Sequence, residues 1–190
     1  MDFVLFDLGG VLCDVEPFRA QAAWVEAGIR EGAIMELMDT SRAKPLGDVG
    51  KLDAAGMARK LSASIGENVS EEVLRHVWGS MVRWRTFVPE LTAGLTVPYG
   101  VLSTIDPIHS DALGPLDGAH PLVYSWEIEV AKPDRRAFEI AIERCAYPSQ
   151  AILYLDDRLE NVSQAQSCGM RALQVTNEDE IRRALGSLLV

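Results

Sequence analysis

The sequence predicts an α/β protein, a Rossmann-like, doubly wound parallel sheet with a small α-helical bundle inserted after its first strand. Three observations carry this expectation. Phe3-Val4-Leu5-Phe6 is a short apolar run that ends in Asp7 and a glycine turn, and Ile152-Leu153-Tyr154-Leu155 repeats the design before Asp156-Asp157. Apolar runs of this length read as strands buried on both faces. From about residue 99 onward, strand-like and helix-like segments alternate, which implies right-handed βαβ crossovers and a parallel sheet. Residues from about 15 to 85, by contrast, hold amphipathic stretches and no strong strand signal.

Taken in order, the first strand covers residues 3–6 and belongs to the same sheet as the later ones. Helices are then expected over Pro17–Ala27, Gly32–Met38, Ala54–Ile65 and Ser70–Trp84. Ser70 opens the last of these as a cap, with Glu71 and Glu72 near the positive end of the helix dipole. Further strands fall at Tyr99–Ser103, Leu122–Tyr124, Ala151–Leu155 and Arg171–Val175. Helices at Pro107–Leu113, Asp134–Arg144, Leu159–Ser167 and Asn177–Leu188 separate and follow them. The helix after Pro133 is the best marked, since Asp134 can cap it and Ala137, Phe138, Ala141 and Ile142 recur on one face. The expected division is a core of residues 1–14 and 87–190 with a helical insertion of residues 15–86. An insertion at that point sits over the carboxyl end of the sheet, where a lid belongs.

Composition narrows the function. At 190 residues the chain can bury one sizeable core, and its formal charge of −10 with no block of Lys or Arg argues against nucleic acid and against anionic membrane surfaces. No apolar run approaches the roughly 18 to 20 residues that span a bilayer, and Asp2 with the brevity of the Phe3–Phe6 run argues against a secretory signal. A soluble, cytoplasmic protein is expected. Cys13, Cys145 and Cys168 are odd in number and widely spaced, so they read as reduced thiols.

In open parallel sheets, ligands sit beyond the carboxyl ends of the strands. Two strands here deliver acids to one crevice, which suits a hard cation such as Mg2+ paired with phosphate. Four motifs then occur in order: Asp7-Leu8-Gly9-Gly10-Val11-Leu12, Val101-Leu102-Ser103-Thr104, Lys132-Pro133 ahead of a helix, and Asp156-Asp157 with Asn161. In this combination, spread over almost the whole length, the chain resembles the haloacid dehalogenase-like (HAD) hydrolase superfamily. The helical insertion is similar to the cap of its first subclass. The motif wording is nearest the phosphatases related to the N-terminal domain of epoxide hydrolases and to sugar-1-phosphatases.

The resemblance implies that Asp7 is a nucleophile, that Ser103 donates to a phosphoryl oxygen, and that Lys132 balances the charge of both the nucleophile and the phosphoryl group. It implies Mg2+ held by Asp7, Asp157 and the Gly9 carbonyl. Asp156 then orients Lys132 or a metal-bound water, and Asn161 braces the same loop. Gly10 and Thr104 join the phosphate-binding set, and Arg42 and Lys44, in the polar stretch Thr40–Lys44, are the expected contacts from the insertion. Most phosphatases of this superfamily carry an acid/base aspartate where this chain has Gly9, although some relatives in the resembling branch carry glycine there too. Asp14 and Asp106 are the candidates to replace it. The expected function is a Mg2+-dependent phosphatase acting on a small phosphorylated metabolite, a sugar phosphate among the candidates, through an aspartyl-phosphate, as a monomer or homodimer. The alternatives are a phosphate-binding protein with weak or no turnover and a 2-haloacid dehalogenase.

Overall fold

Every residue of Phe3–Phe6 is buried, because this strand lies at the centre of a five-stranded sheet with helices on both faces. The structure, a computed structural model, describes residues 1–18, 20–65 and 69–190, and of Ile34, Asp39 and Thr40 only the backbone. After β1 (Phe3–Phe6) come β2 (Cys13–Val15), α1 (Gln21–Glu26), α2 (Ala33–Thr40), α3 (Ala43–Asp48), α4 (Ala54–Ile65), α5 (Glu71–Gly79) and β3 (Val82–Trp84). The chain continues through α6 (Val88–Ala93), β4 (Tyr99–Ser103), α7 (Pro107–Leu113), β5 (Leu122–Tyr124), the single turn α8 (Ser125–Ile128) and α9 (Arg135–Cys145). It ends with β6 (Ile152–Asp156), α10 (Leu159–Ser167), β7 (Arg171–Gln174) and α11 (Glu178–Leu185).

The sheet order is β5-β4-β1-β6-β7, all parallel. The order reverses on either side of β1, so the carboxyl ends of β1, β4 and β6 meet at the switch point where a crevice forms. Alternation along the strands divides the core. Val4, Phe6, Val101, Leu153 and Leu155 face a cluster with Val88 and Leu91 of α6 and Ile181 and Leu185 of α11. Phe3, Leu5, Leu102, Ile152 and Tyr154 face Phe138 and Ala141 of α9 and Val162 and Ala165 of α10.

Helices α1 to α5 surround a cluster of their own, built on Trp24, Leu37, Met57, Leu61, Leu74 and Trp78. Ser70 caps α5 by accepting from the Val73 N–H at 3.2 Å. The expected helix over Ser70–Trp84, however, stops at Gly79. Val82–Trp84 instead pairs antiparallel with Cys13–Val15, Val15 opposite Val82, so a two-stranded ribbon carries the chain out of the core and back. Strands of three residues are too short to show a period, and their partners lie far off in sequence. The first insertion helix is likewise shorter than its apolar pattern, Gln21–Glu26 rather than Pro17–Ala27. The short α6 and α8 fall where no helix was expected. Among the described residues no helix is long and apolar enough to cross a membrane. All three cysteines are free, and burial pushes the Cys13 and Cys145 thiols up to about 12.

A buried charged group ties the insertion to the sheet. Asp106, fully buried, caps α7 by accepting from the His109 N–H on Oδ1 at 2.9 Å, while Oδ2 accepts from Trp78 Nε1 of α5 at 3.3 Å. Its second oxygen lies 2.7 Å from His109 Nδ1 and 3.7 Å from the ammonium of Lys44 on α3. His109 Nε2 faces the Trp78 carbonyl at 3.0 Å, so each ring nitrogen lies within hydrogen-bond distance of an oxygen. Burial alone pushes the Asp106 carboxyl up, but His109 and Lys44 more than offset it and hold the group well below the usual carboxylate range.

Candidate active site

Asp7 is the first residue after β1, anchored by its N–H to the Leu155 carbonyl at 2.9 Å. Its Oδ1 accepts from the Leu8 N–H at 2.7 Å and lies 2.9 Å from the Lys132 ammonium. Among the described residues no hydrogen bond falls on Oδ2, which leaves that oxygen open. The chain then turns sharply: Val11, Leu12 and Cys13 N–H groups converge on the Leu8 carbonyl, and Gly10 adopts φ +75°. A Cβ at Gly10 would lie 2.4 Å from Asp157 Oδ2, so glycine there makes the room in which Asp157 sits.

Asp156, the last residue of β6, is fully buried and heavily bonded. It accepts from Lys132 Nζ at 2.7 Å, from the Arg158 N–H at 2.8 Å, from Asn161 Nδ2 at 3.0 Å on each oxygen, and from the Tyr154 hydroxyl. Burial raises its pKa, yet Lys132 and these donors outweigh burial and hold it below its usual value. Asp157 differs. It is partly exposed, has no ion pair among the described residues, and is pushed up by burial and by Asp156. Asp7 is pushed up to about 6 by burial, against the opposing pull of Lys132 and with a further push from Asp156.

Ligand atoms of Asp7, Asp156 and Asp157 lie within 4.8 Å of one another. Three carboxylates against one ammonium leave an excess of two negative charges in a partly desolvated site. The all-oxygen donor set and that excess fit a hard divalent cation. With Asp156 saturated by protein donors, Asp7 and Asp157 are the side chains left to hold it, and Gly9 lies in the turn that follows Asp7.

Ser103 ends β4 beside this group, buried, and among the described residues its hydroxyl has no hydrogen-bond partner. Thr104 spends its hydroxyl on the backbone, accepting from the Lys132 N–H at 3.0 Å and joining the β4 loop to the lysine loop. The next residue, Ile105, is braced by Ser125, whose Oγ accepts from the Ile105 N–H at 3.0 Å. Asp7, Ser103, Lys132, Asp156 and Asp157 are thus gathered at the carboxyl ends of β1, β4 and β6.

Not every expected contributor sits this way. The polar stretch around residues 40–44 is a break of two residues rather than a loop: Ser41 and Arg42 separate α2 from α3, and Arg42 is exposed in the left-handed region at φ 55°. Lys44 is helical and its ammonium is committed to Asp48 at 2.7 Å. Asp14, read as a substitute acid, pairs with Arg85 at 2.8 Å and Arg83 at 3.0 Å. Asp106, the other candidate, is locked in the buried ion cluster. Neither carboxylate is available to carry a proton to a leaving group.

One participant was hidden in the sequence. Tyr154 reads as part of an apolar strand, but strand alternation puts it on the same face as Asp156, two residues on. Its hydroxyl accepts from Lys132 Nζ at 2.9 Å as well as donating to Asp156.

The chain superposes on solved structures over almost its whole length. The HAD family enzyme BT-2542 from Bacteroides thetaiotaomicron matches with a TM-score of 0.79 at 21% identity, over 94% of this chain and 96% of that one. The chain has the HAD fold. A predicted HAD-like family hydrolase from Porphyromonas gingivalis gives a TM-score of 0.77 at 19% identity over 98% of both chains. A third HAD-fold protein, the L-2-haloacid dehalogenase of Xanthobacter autotrophicus, gives 0.67 at 18% identity, over 99% of this chain and 84% of that one. No family model matches the sequence. Among curated proteins, drimenol cyclase drtB of Aspergillus calidoustus is 31% identical over 64 residues, which is 34% of this chain and only 12% of the cyclase.

Proposed function

We propose that the protein is a Mg2+-dependent phosphatase that hydrolyses a small phosphorylated metabolite through an aspartyl-phosphate on Asp7. The observation that supports this most directly is the placement of Asp7 between a cation and a second carboxylate: Lys132 on one oxygen, Asp157 close by, and one oxygen open. BT-2542, a protein of the same fold, has been solved in complex with magnesium and inorganic phosphate. Asp7 and Asp157, with the Gly9 carbonyl, would hold the ion, which when bound supplies the positive charge that brings a phosphate ester beside an anionic nucleophile.

The chain's own residues then divide the work. Asp7 attacks phosphorus, the bond to the leaving oxygen breaks, and water later releases phosphate and regenerates the carboxylate. Lys132 keeps Asp7 ionised in a site where burial opposes ionisation. Ser103 has a buried hydroxyl to offer a phosphoryl oxygen. Residues 15–86 act as a cap that sets which metabolite fits.

Gly9 shapes the substrate class. With Asp14 and Asp106 both ion-paired, neither of the carboxylates considered in place of Gly9 is free to protonate the leaving oxygen, so the favoured substrates have leaving groups that depart unaided, such as an anomeric sugar phosphate or an acyl phosphate. The same glycine supports a second reading, binding of phosphate ligands without efficient turnover. Phosphate release from a panel containing p-nitrophenyl phosphate, sugar 1-phosphates and alkyl phosphates, in Mg2+ and then in EDTA, tests both. Metal-dependent turnover lost in Asp7→Asn is the expected result. Silence across the panel with Mg2+ still bound would favour the binding reading, and 2-haloacid hydrolysis that survives EDTA would overturn both.

A further inference from the structure

We infer that Tyr154 is a positioning residue for the nucleophile, acting through Lys132: its hydroxyl fixes the ammonium on Asp7. This inference rests on the phosphatase reading for its kinetic consequences but not for its geometry. An ammonium has three N–H groups. Those of Lys132 meet Asp7 Oδ1 at 2.9 Å, Asp156 Oδ2 at 2.7 Å and the Tyr154 hydroxyl at 2.9 Å. All three donors are therefore committed to protein oxygens, and their three directions define where the nitrogen sits.

The phenol is itself held from three sides. Its ring packs edge-on against Phe138 of α9, with centroids 5.7 Å apart and planes at 87°. Its hydroxyl proton goes to Asp156, so the oxygen lone pairs are turned toward Lys132. Asp156 in turn is fixed by Asn161 and by the Arg158 N–H. The triangle of Lys132, Asp156 and Tyr154 is buried beside Asp7, where water is poorly placed to replace a missing partner. Burial and the neighbouring carboxylates push the phenol well above its usual value, so the hydroxyl keeps the proton it gives to Asp156.

A lysine on a flexible four-carbon stem places its charge poorly unless something holds it. Asp156 alone supplies attraction but no direction, since an ammonium can pivot about one carboxylate. The hydroxyl adds a neutral acceptor that fixes the pivot without competing for the charge. Loss of this oxygen leaves one N–H facing a ring and lets the ammonium swing off Asp7. The alignment of the nucleophile then suffers, while the contacts that bind a phosphate ester remain.

Tyr154→Phe tests this, because it keeps the ring on Phe138 and removes only the hydroxyl. A charge-assisted hydrogen bond corresponds to about 10- to 100-fold in rate, so kcat should fall by that factor. KM and the Kd for inorganic phosphate in Mg2+ should stay within about threefold, since the phosphate-binding groups are untouched. A fall in binding without a fall in kcat, or a kcat within about threefold of wild type, overturns the inference. A wild-type protein silent on the whole phosphate panel would instead refute the phosphatase reading and leave the geometry to a second measurement. That measurement is the 1H–15N ammonium signal of Lys132, one of four lysines in the chain, assigned with Lys132→Arg. It should show slow proton exchange in the wild type and exchange at least about tenfold faster in Tyr154→Phe. Unchanged exchange would show that the hydroxyl does not hold the lysine.

Discussion

Replacing Gly9 with aspartate should turn a leaving-group-limited site into a general one. The backbone admits the change. Gly9 does not lie in the left-handed region, and a Cβ there would meet nothing closer than Val15 Cγ2 at 3.5 Å, an ordinary contact. A Cβ there therefore displaces no neighbour. The new carboxylate would stand two residues from Asp7, itself pushed up by burial, and the like charge of Asp7 would raise its pKa toward the protonated form a general acid needs. General acid assistance is worth about 100- to 10,000-fold, or roughly 3 to 5 kcal/mol of barrier. The gain should appear only where the leaving oxygen needs a proton. With alkyl phosphates, kcat for Gly9→Asp should rise by at least about 100-fold, whereas with p-nitrophenyl phosphate it should change by less than about threefold. A plot of log kcat against leaving-group pKa reads the effect, steep for wild type and nearly flat for the variant. If the wild-type plot is already flat, or if both substrates gain equally, the reasoning from Gly9 fails.

Gly10→Ala should cost about 1 to 2 kcal/mol from φ +75° and in addition push Asp157 off its place; thermal melts and Mg2+ calorimetry should show lower stability together with weakened metal binding. Ser103→Ala should leave the melting temperature unchanged, because the hydroxyl has no partner among the described residues, yet weaken inorganic phosphate binding by about 10- to 100-fold in a titration with Mg2+ present. Asp106→Asn should destabilise the fold by about 3 to 5 kcal/mol at pH 7 in urea titrations, since it removes the buried carboxylate on which the His109 ring, the Trp78 indole N–H and Lys44 converge. The folded pKa of Asp106 is depressed, so its stabilisation is present above the unfolded value of about 3.9 and is lost as pH falls below it; the gap between wild type and Asp106→Asn should narrow below about pH 4.

What could be read in advance follows from the physics of each element. β1, β4 and β6 are buried on both faces, so their apolar runs end abruptly where the chain meets the crevice; the acids at the ends of β1 and β6 and the serine at the end of β4 stand out for that reason. The Asp134 and Ser70 caps were legible because a side chain bonds its own helix within three residues. The ribbon of β2 and β3 was not, since each strand of three residues takes its meaning from the other. Lys44 and Asp106 show the same limit in the site. Each looked like a polar group at liberty, and only the tertiary fold, which brings Lys44 of α3 to the residue that caps α7, makes them partners. Tyr154 was hidden differently: its ring belongs to the core pattern and its hydroxyl to the chemistry, and a hydrophobic run reports only the ring.

The ribbon that carries the helical insertion brings its two ends side by side, Val15 across from Val82. Taken alone, that closure would make the insertion exchangeable, a cassette that could be lifted out and replaced by another of different size without moving the sheet. Asp106 removes this freedom. Two of its partners, Trp78 and Lys44, come from the insertion, and the His109 ring is clamped between Asp106 and the Trp78 carbonyl. A grafted replacement would have to bring its own indole and ammonium to the same spot or leave a bare carboxylate under apolar cover. Attempts to change what the site accepts by transplanting this segment should therefore carry α3, α5 and α7 together as one block.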